Sequence, residues 1–126
     1  MILTLDNLKY LKKSDKVVHH AKNPYDVFIA RPSKWGNPIK LREPITLENS
    51  IYLYGDNRRE GFCPSRNEVI VLYDNYLRNN EELTKDLPEL NGKVLACWCS
   101  PKLCHGNAII NYMNDLELER SNLFEY

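Results

Sequence analysis

The sequence predicts an α/β domain: a small three-layer, open sheet, Rossmann-like, with a mostly parallel centre. Three observations carry this prediction. Residues 16–20 and 26–30 are short runs rich in β-branched and aromatic side chains, and residues 93–98 are apolar at nearly every position. Helical patterns follow the second and third of these segments. Strands that alternate with helices build parallel sheets, and the loops at the carboxyl ends of such strands converge on one ligand-binding crevice.

Each element has a local reason. Lys22-Asn23-Pro24 is a turn signal that separates the first two extended runs. The second run ends in Arg31-Pro32-Ser33-Lys34-Trp35-Gly36-Asn37-Pro38, a loop, because both prolines disfavour helical geometry at the residue before them. Residues 41–64 are weakly patterned and read as an excursion over the surface. Ser65-Arg66-Asn67-Glu68 then opens a helix through a capping box, in which the serine hydroxyl accepts from the Glu68 NH and Glu68 reaches back. Val69, Leu72, Tyr73, Tyr76 and Leu77 form its apolar stripe, and Asn79-Asn80 ends it.

Residues 81–90 suit a second, shorter helix. Residues 93–98 lack alternation, so they read as a central parallel strand covered on both faces, with Trp98 assigned to the core. After a loop at 99–103, Ala108, Ile109, Tyr112, Met113 and Leu116 line one side of a final helix over 105–116, opposite Asn107, Asn111 and Asn114. A charged tail follows.

Composition narrows the function classes. A chain of 126 residues can bury a core without staples, so one domain over 1–126 is expected. Lys+Arg and Asp+Glu both total 17, and zero net charge gives no long-range pull on nucleic acid. Phosphate recognition must therefore be local. No segment approaches the roughly 18 apolar residues of a membrane span, and the first residues lack a leader pattern. A cytoplasmic protein with no membrane partner is expected. Three of the four cysteines crowd into residues 97–104, which favours free thiols or metal ligands over disulfides.

Two boxes can carry chemistry. In Cys97-Trp98-Cys99-Ser100-Pro101-Lys102-Leu103-Cys104-His105-Gly106 the last helix begins at the end, and its first NH groups can hold an anion. Gly106 is expected to keep that approach open, with Asn107 beside it and Cys99 at the rim. Cys104, at the helix start, is the best candidate nucleophile, since that position lowers a thiol pKa. His105 is the candidate acid or base. The bland reading makes Cys104 a small buried hydrophobe and His105 a lining residue. A zinc reading uses Cys97, Cys99 and Cys104, with Cys63 or His105 as fourth ligand, although the spacing between the thiols is unusual.

In the first box Arg31 and Lys34 are expected to neutralise a phosphate, Ser33 and Asn37 to add neutral hydrogen bonds, and Trp35 to stack on a nucleobase. Gly36 would let the backbone approach the ligand. Arg66 stands in the first turn of its helix, where the dipole disfavours a cation, so an anion or Asp56 is the partner expected there. The structural alternative packs Trp35 into the core and pairs Arg31 with an acid.

Taken together, these two boxes in this order, with Arg66, Tyr73 and Leu77 between them, resemble an uncharacterised family of small proteins of bacteria, archaea and their phages. It is the family catalogued as domain of unknown function 4326. The resemblance covers about residues 17–114, leaving 115–126 as a tail. It implies a compact single domain whose two loops line one site, and it brings no established activity with it. The family often has an acid after the final glycine, where Asn107 stands here.

The expectation is binding of a phosphate-bearing ligand, a nucleotide or a nucleic-acid end, between the 31–38 and 99–106 loops. Hydrolase or transferase chemistry at that ligand, through Cys104 or His105, is compatible with the residues. No cofactor is expected unless the cysteines hold zinc. The other classes are a zinc-stabilised interaction module and a thiol redox protein, which here lacks the usual two-residue spacer between paired thiols.

Overall fold

The computed structural model describes residues 1–99 and 102–124, with side chains to residue 119. Three short strands form one sheet: β1 (Val17–His19), β2 (Val27–Phe28) and β3 (Leu95–Cys97). The order is β1-β3-β2, and both flanking strands run parallel to β3, with Val17 and Val27 each in register with Leu95. The expected central parallel strand is thus present, trimmed to three residues that are all buried.

Only residues 20–26 join β1 to β2, although β3 lies between them. Parallel strands usually need a connection of about a dozen residues or more. Seven suffice here because the strands are so short: an extended chain of that length reaches about 23 Å, and two strand spacings are only about 10 Å. The connection is tied to the sheet, with the His20 NH donating to the Cys97 carbonyl at 3.1 Å and the Val94 NH to Asp26 Oδ2 at 2.8 Å.

Helices fill the long connection from β2 to β3. Helix α1 (Leu47–Tyr54) lies inside the stretch expected to be an irregular excursion. Thr46 caps it by accepting from the Asn49 NH, but Leu47, Ile51 and Tyr52 are exposed. Apolar residues on its outer side blur the stripe that would have revealed it. Helix α2 (Arg66–Arg78) begins with the expected capping box: Ser65 Oγ accepts from the Glu68 NH at 3.2 Å, and Glu68 Oε1 from the Ser65 NH at 2.8 Å. The second helix is shorter than expected. Helix α3 (Glu81–Asp86) gives way to a 3₁₀ turn at Leu87–Leu90, because Pro88 has no NH to continue the ladder.

Helix α4 (His105–Phe124) starts where expected but runs past Leu116 through most of the supposed tail; Glu125 and Tyr126 lie outside the described residues. It packs on the sheet face that carries Val17, Ile29, Leu95 and Cys97, and α2 packs against it. Each fully buried Leu or Ile there contributes about 1.5–3 kcal/mol. The N-terminal segment closes the core with Leu3, Leu8 and Leu11. It is anchored at the fully buried Asp74 carboxylate, which accepts from the Leu3 NH at 3.0 Å and from Arg78 Nε.

Candidate functional site

Because β2 and β3 are neighbours and parallel, the 31–38 and 99–106 loops leave the same end of the sheet side by side. Between them lies a cavity of about 530 Å³. Arg31, Asn37, Arg66, Cys97, Cys99, Cys104 and His105 all line it, so seven residues singled out in the sequence share one wall system. Ser100 and Pro101, inside the second loop, lie outside the described residues.

The lining is electrically one-sided. Arg31, Lys40, Arg42 and Arg66 contribute cations, and among the described residues no carboxylate lines the cavity. Lys40 reaches Glu43 at 3.4 Å, whereas Arg31, Arg42 and Arg66 make no ion pair among the described residues. Unpaired like charges repel each other, and an anion between them would relieve that repulsion. Arg31 and Arg42 are exposed and Arg66 is half-buried.

His105 is held in place and kept neutral. Its Nε2 lies 2.9 Å from the Ile29 carbonyl, and its ring meets Tyr73 edge-on at 5.0 Å. Burial pushes the imidazole pKa down, and the positive charge of Arg31 adds to that, against the pull of the Ile29 carbonyl. A neutral ring with its Nε2–H on that carbonyl leaves Nδ1 as an acceptor.

Cys104 departs from the expectation of a reactive thiolate. It is 3% exposed, and its Sγ sits 3.1 Å from Cys97 Sγ. That contact and burial push its pKa up, and the Gly106 NH that donates to the sulfur at 3.4 Å does not compensate. A protonated buried thiol is a poor nucleophile, so the small-hydrophobe reading fits Cys104 better. The zinc alternative needs Cys99 to join Cys97 and Cys104. Among the described residues no group of three or more His, Cys, Asp or Glu is placed to hold a metal ion. Cys63 is exposed and Cys99 half-buried, while Cys97 and Cys104 are buried.

Several expected binding residues do not line the cavity. Lys34 is drawn away by Asp86 and Glu89, whose carboxylates lie 3.0 and 2.9 Å from its ammonium and raise its pKa, Glu89 foremost. Trp35 is 3% exposed in the core, where its carbonyl accepts from the Tyr73 hydroxyl at 2.7 Å, so it offers no face to a base. Ser33 Oγ is buried and has no hydrogen-bond partner among the described residues.

Gly36 serves packing of the loop on itself: a Cβ there would lie 2.7 Å from Arg31 Cγ and 3.0 Å from Arg31 Cα. Gly106 lets α4 touch the sheet, since its Cβ would lie 2.8 Å from Ile29 Cδ1 and 2.9 Å from Val17 Cγ1. Asn107 is buried and accepts from the Ser14 NH at 3.0 Å, which turns it to the N-terminal segment. Asn37 does line the cavity, but its amide is committed, donating to the Val69 carbonyl and accepting from the Ile39 NH. It pins the first loop to α2 and has little left to read a ligand.

Trp98 corrects the opposite expectation. Assigned to the core, it is instead 62% exposed and lines the cavity. Lys40 and Arg42 were missed as well. Their signal was present, a basic alternation in Ile39-Lys40-Leu41-Arg42 directly after the proline-bounded loop.

The chain is 32% identical over 101 residues to a protein of Enterobacteria phage T4 described as "Uncharacterized 12.4 kDa protein in nrdA-td intergenic region". The similarity covers 80% of this chain and 79% of that protein. No solved structure matches the chain. The model of one family matches residues 11–115, both boxes included, and the chain belongs to that family, Domain of unknown function (DUF4326).

Proposed function

We propose that the cavity between the two loops binds a phosphate-bearing ligand of the nucleotide or nucleic-acid-end class. The observation that carries this reading is the lining itself: among the described residues it holds four cations and no carboxylate, in a chain of zero net charge. Guanidinium groups suit phosphate because their donors match two of its oxygens at once. Arg31 and Arg66 hold the phosphate, and Lys40 and Arg42, from the segment that follows the first loop, add charge at its margin. Any chemistry at the bound ligand falls to His105 and its free Nδ1, and not to the protonated Cys104.

The all-parallel sheet and a cavity at the carboxyl ends of its strands support a Rossmann-like, three-layer reading of the fold. A cytoplasmic location belongs to the same proposal. No helix among the described residues is long and apolar enough to cross a membrane.

Calorimetric titration with inorganic pyrophosphate and with nucleoside mono- and diphosphates tests the reading. Binding should weaken as salt rises, and Arg31→Ala or Arg66→Ala should each weaken it about tenfold or more, since hydrogen bonds to charged groups contribute about 1.5–3 kcal/mol. If none of these anions binds, or if the double variant binds them as well as the parent chain does, the proposal fails.

A further inference from the structure

We infer that the exposed indole of Trp98 is the stacking platform for an aromatic base, so that the ligand is a nucleotide in preference to a sugar phosphate or inorganic phosphate. This deepens the phosphate reading of the cavity and rests on it.

A single exposed aromatic residue on a protein surface means little. Trp98 differs in where it stands and in how it is held. It follows β3 directly, at the carboxyl end of the central strand, and it lines the same cavity as Arg31, Arg42 and Arg66. Its neighbour Cys97 is 1% exposed, whereas the indole is 62% exposed, so the chain emerges from the core at this residue.

The indole is flanked by two aromatic rings. The His20 ring lies 3.9 Å away at an interplanar angle of 61°, and the Phe28 ring 6.4 Å away at 79°. Both contacts are edge-to-face. Among the described residues no aromatic ring lies parallel to the indole, and no cation sits over it. With Trp98 62% exposed, the indole keeps surface available to a planar group from outside. The frame comes from two directions, Phe28 on β2 and His20 on the short connection that leaves β1, so the ring is positioned before any ligand arrives.

A nucleotide presents an anion and an aromatic face joined by a sugar, and the cavity presents guanidinium groups and an indole on one lining. Trp35, the other tryptophan, is closed off in the core. Because every nucleobase has a π face, this platform alone selects the class and not the individual base.

The test is calorimetry with four ribonucleoside 5′-monophosphates, ribose 5-phosphate and the corresponding nucleosides, on the parent chain, Trp98→Ala and Trp98→Tyr. At least one nucleoside monophosphate should bind about tenfold or more tightly than ribose 5-phosphate. Trp98→Ala should remove that preference, and Trp98→Tyr should keep most of it. Binding should also quench tryptophan emission in the parent chain and not in Trp98→Tyr.

Equal affinity for ribose 5-phosphate and all four monophosphates, or a preference that survives Trp98→Ala, overturns the platform and leaves the phosphate site standing. Equal affinity for nucleosides and their monophosphates, with no binding of ribose 5-phosphate, does the reverse. If nothing in the panel binds, both readings fall. Trp98 is exposed and supports no core packing, so the variants should unfold at the same denaturant concentration as the parent chain.

Discussion

The segments that follow β2 and β3 leave the same end of the sheet, each carries one tryptophan, and the two indoles meet opposite fates. Trp35 is buried because α2 lies against the first loop: Tyr73 donates to the Trp35 carbonyl, and Asn37 donates to the Val69 carbonyl. Trp98 makes T-shaped contacts with His20 and Phe28 and remains 62% exposed at the cavity. Motif composition does not decide between packing and display. That choice is made by which distant element comes to rest on the loop.

Substitution should widen this contrast before anything else does. Trp35→Ala should destabilise the fold by about 3–5 kcal/mol in denaturant unfolding, whereas Trp98→Ala should cost less than about 1 kcal/mol. Similar losses at both positions would erase the distinction.

Next comes the way each loop uses its glycine. Gly106→Ala forces a methyl to within 3 Å of Ile29 and Val17, and the overpacking should cost about 1–3 kcal/mol by the same measurement. A neutral result would mean that α4 can step off the sheet without penalty. For the first loop, Tyr73→Phe removes the hydroxyl bonded to Trp35 and should cost about 0.5–1.5 kcal/mol while the ring continues to fill its place.

A pH titration probes the point where the two loops meet. His105 has its pKa lowered in the folded state, chiefly by burial, so below the ordinary histidine range the unfolded chain binds a proton that the folded chain resists. Stability should therefore be complete above about pH 6.5 and should fall as pH drops from there toward the lowered value. In His105→Gln that part of the slope should flatten, which unfolding midpoints between pH 5 and pH 7.5 would register.

The smallest effect belongs to Lys34. Its pairs with Asp86 and Glu89 are exposed and screened by solvent, so Lys34→Ala should barely move the unfolding midpoint and should leave pyrophosphate affinity unchanged. A large loss of affinity in that variant would return Lys34 to the site.

Legibility followed the range of the interactions involved. The capping box at Ser65 and Glu68 and the start of α4 at His105 were readable because each rests on residues within one or two turns. The parallel β3 was readable from its unbroken apolar run. Helix α1 was not, since its exposed Leu47, Ile51 and Tyr52 hide its buried side. Pairing of the two loops was expected from neighbouring strands, and Arg31, Arg66 and His105 do meet at one cavity. The roles given to Lys34, Trp35, Gly36, Gly106 and Asn107 changed because each is claimed by a partner far away in sequence: Asp86 and Glu89, Tyr73, the chain of the first loop itself, the β1 and β2 side chains, and Ser14.

By itself, then, the sequence determined the α/β class, the central strand, the capped helix and the two boxes that flank the cavity, because periodicity and capping are properties of neighbouring residues. Tertiary structure alone decided which tryptophan faces outward, which cations stay unpaired and which thiols touch. Those outcomes depend on burial and charge pairing between segments tens of residues apart, and no local pattern encodes them.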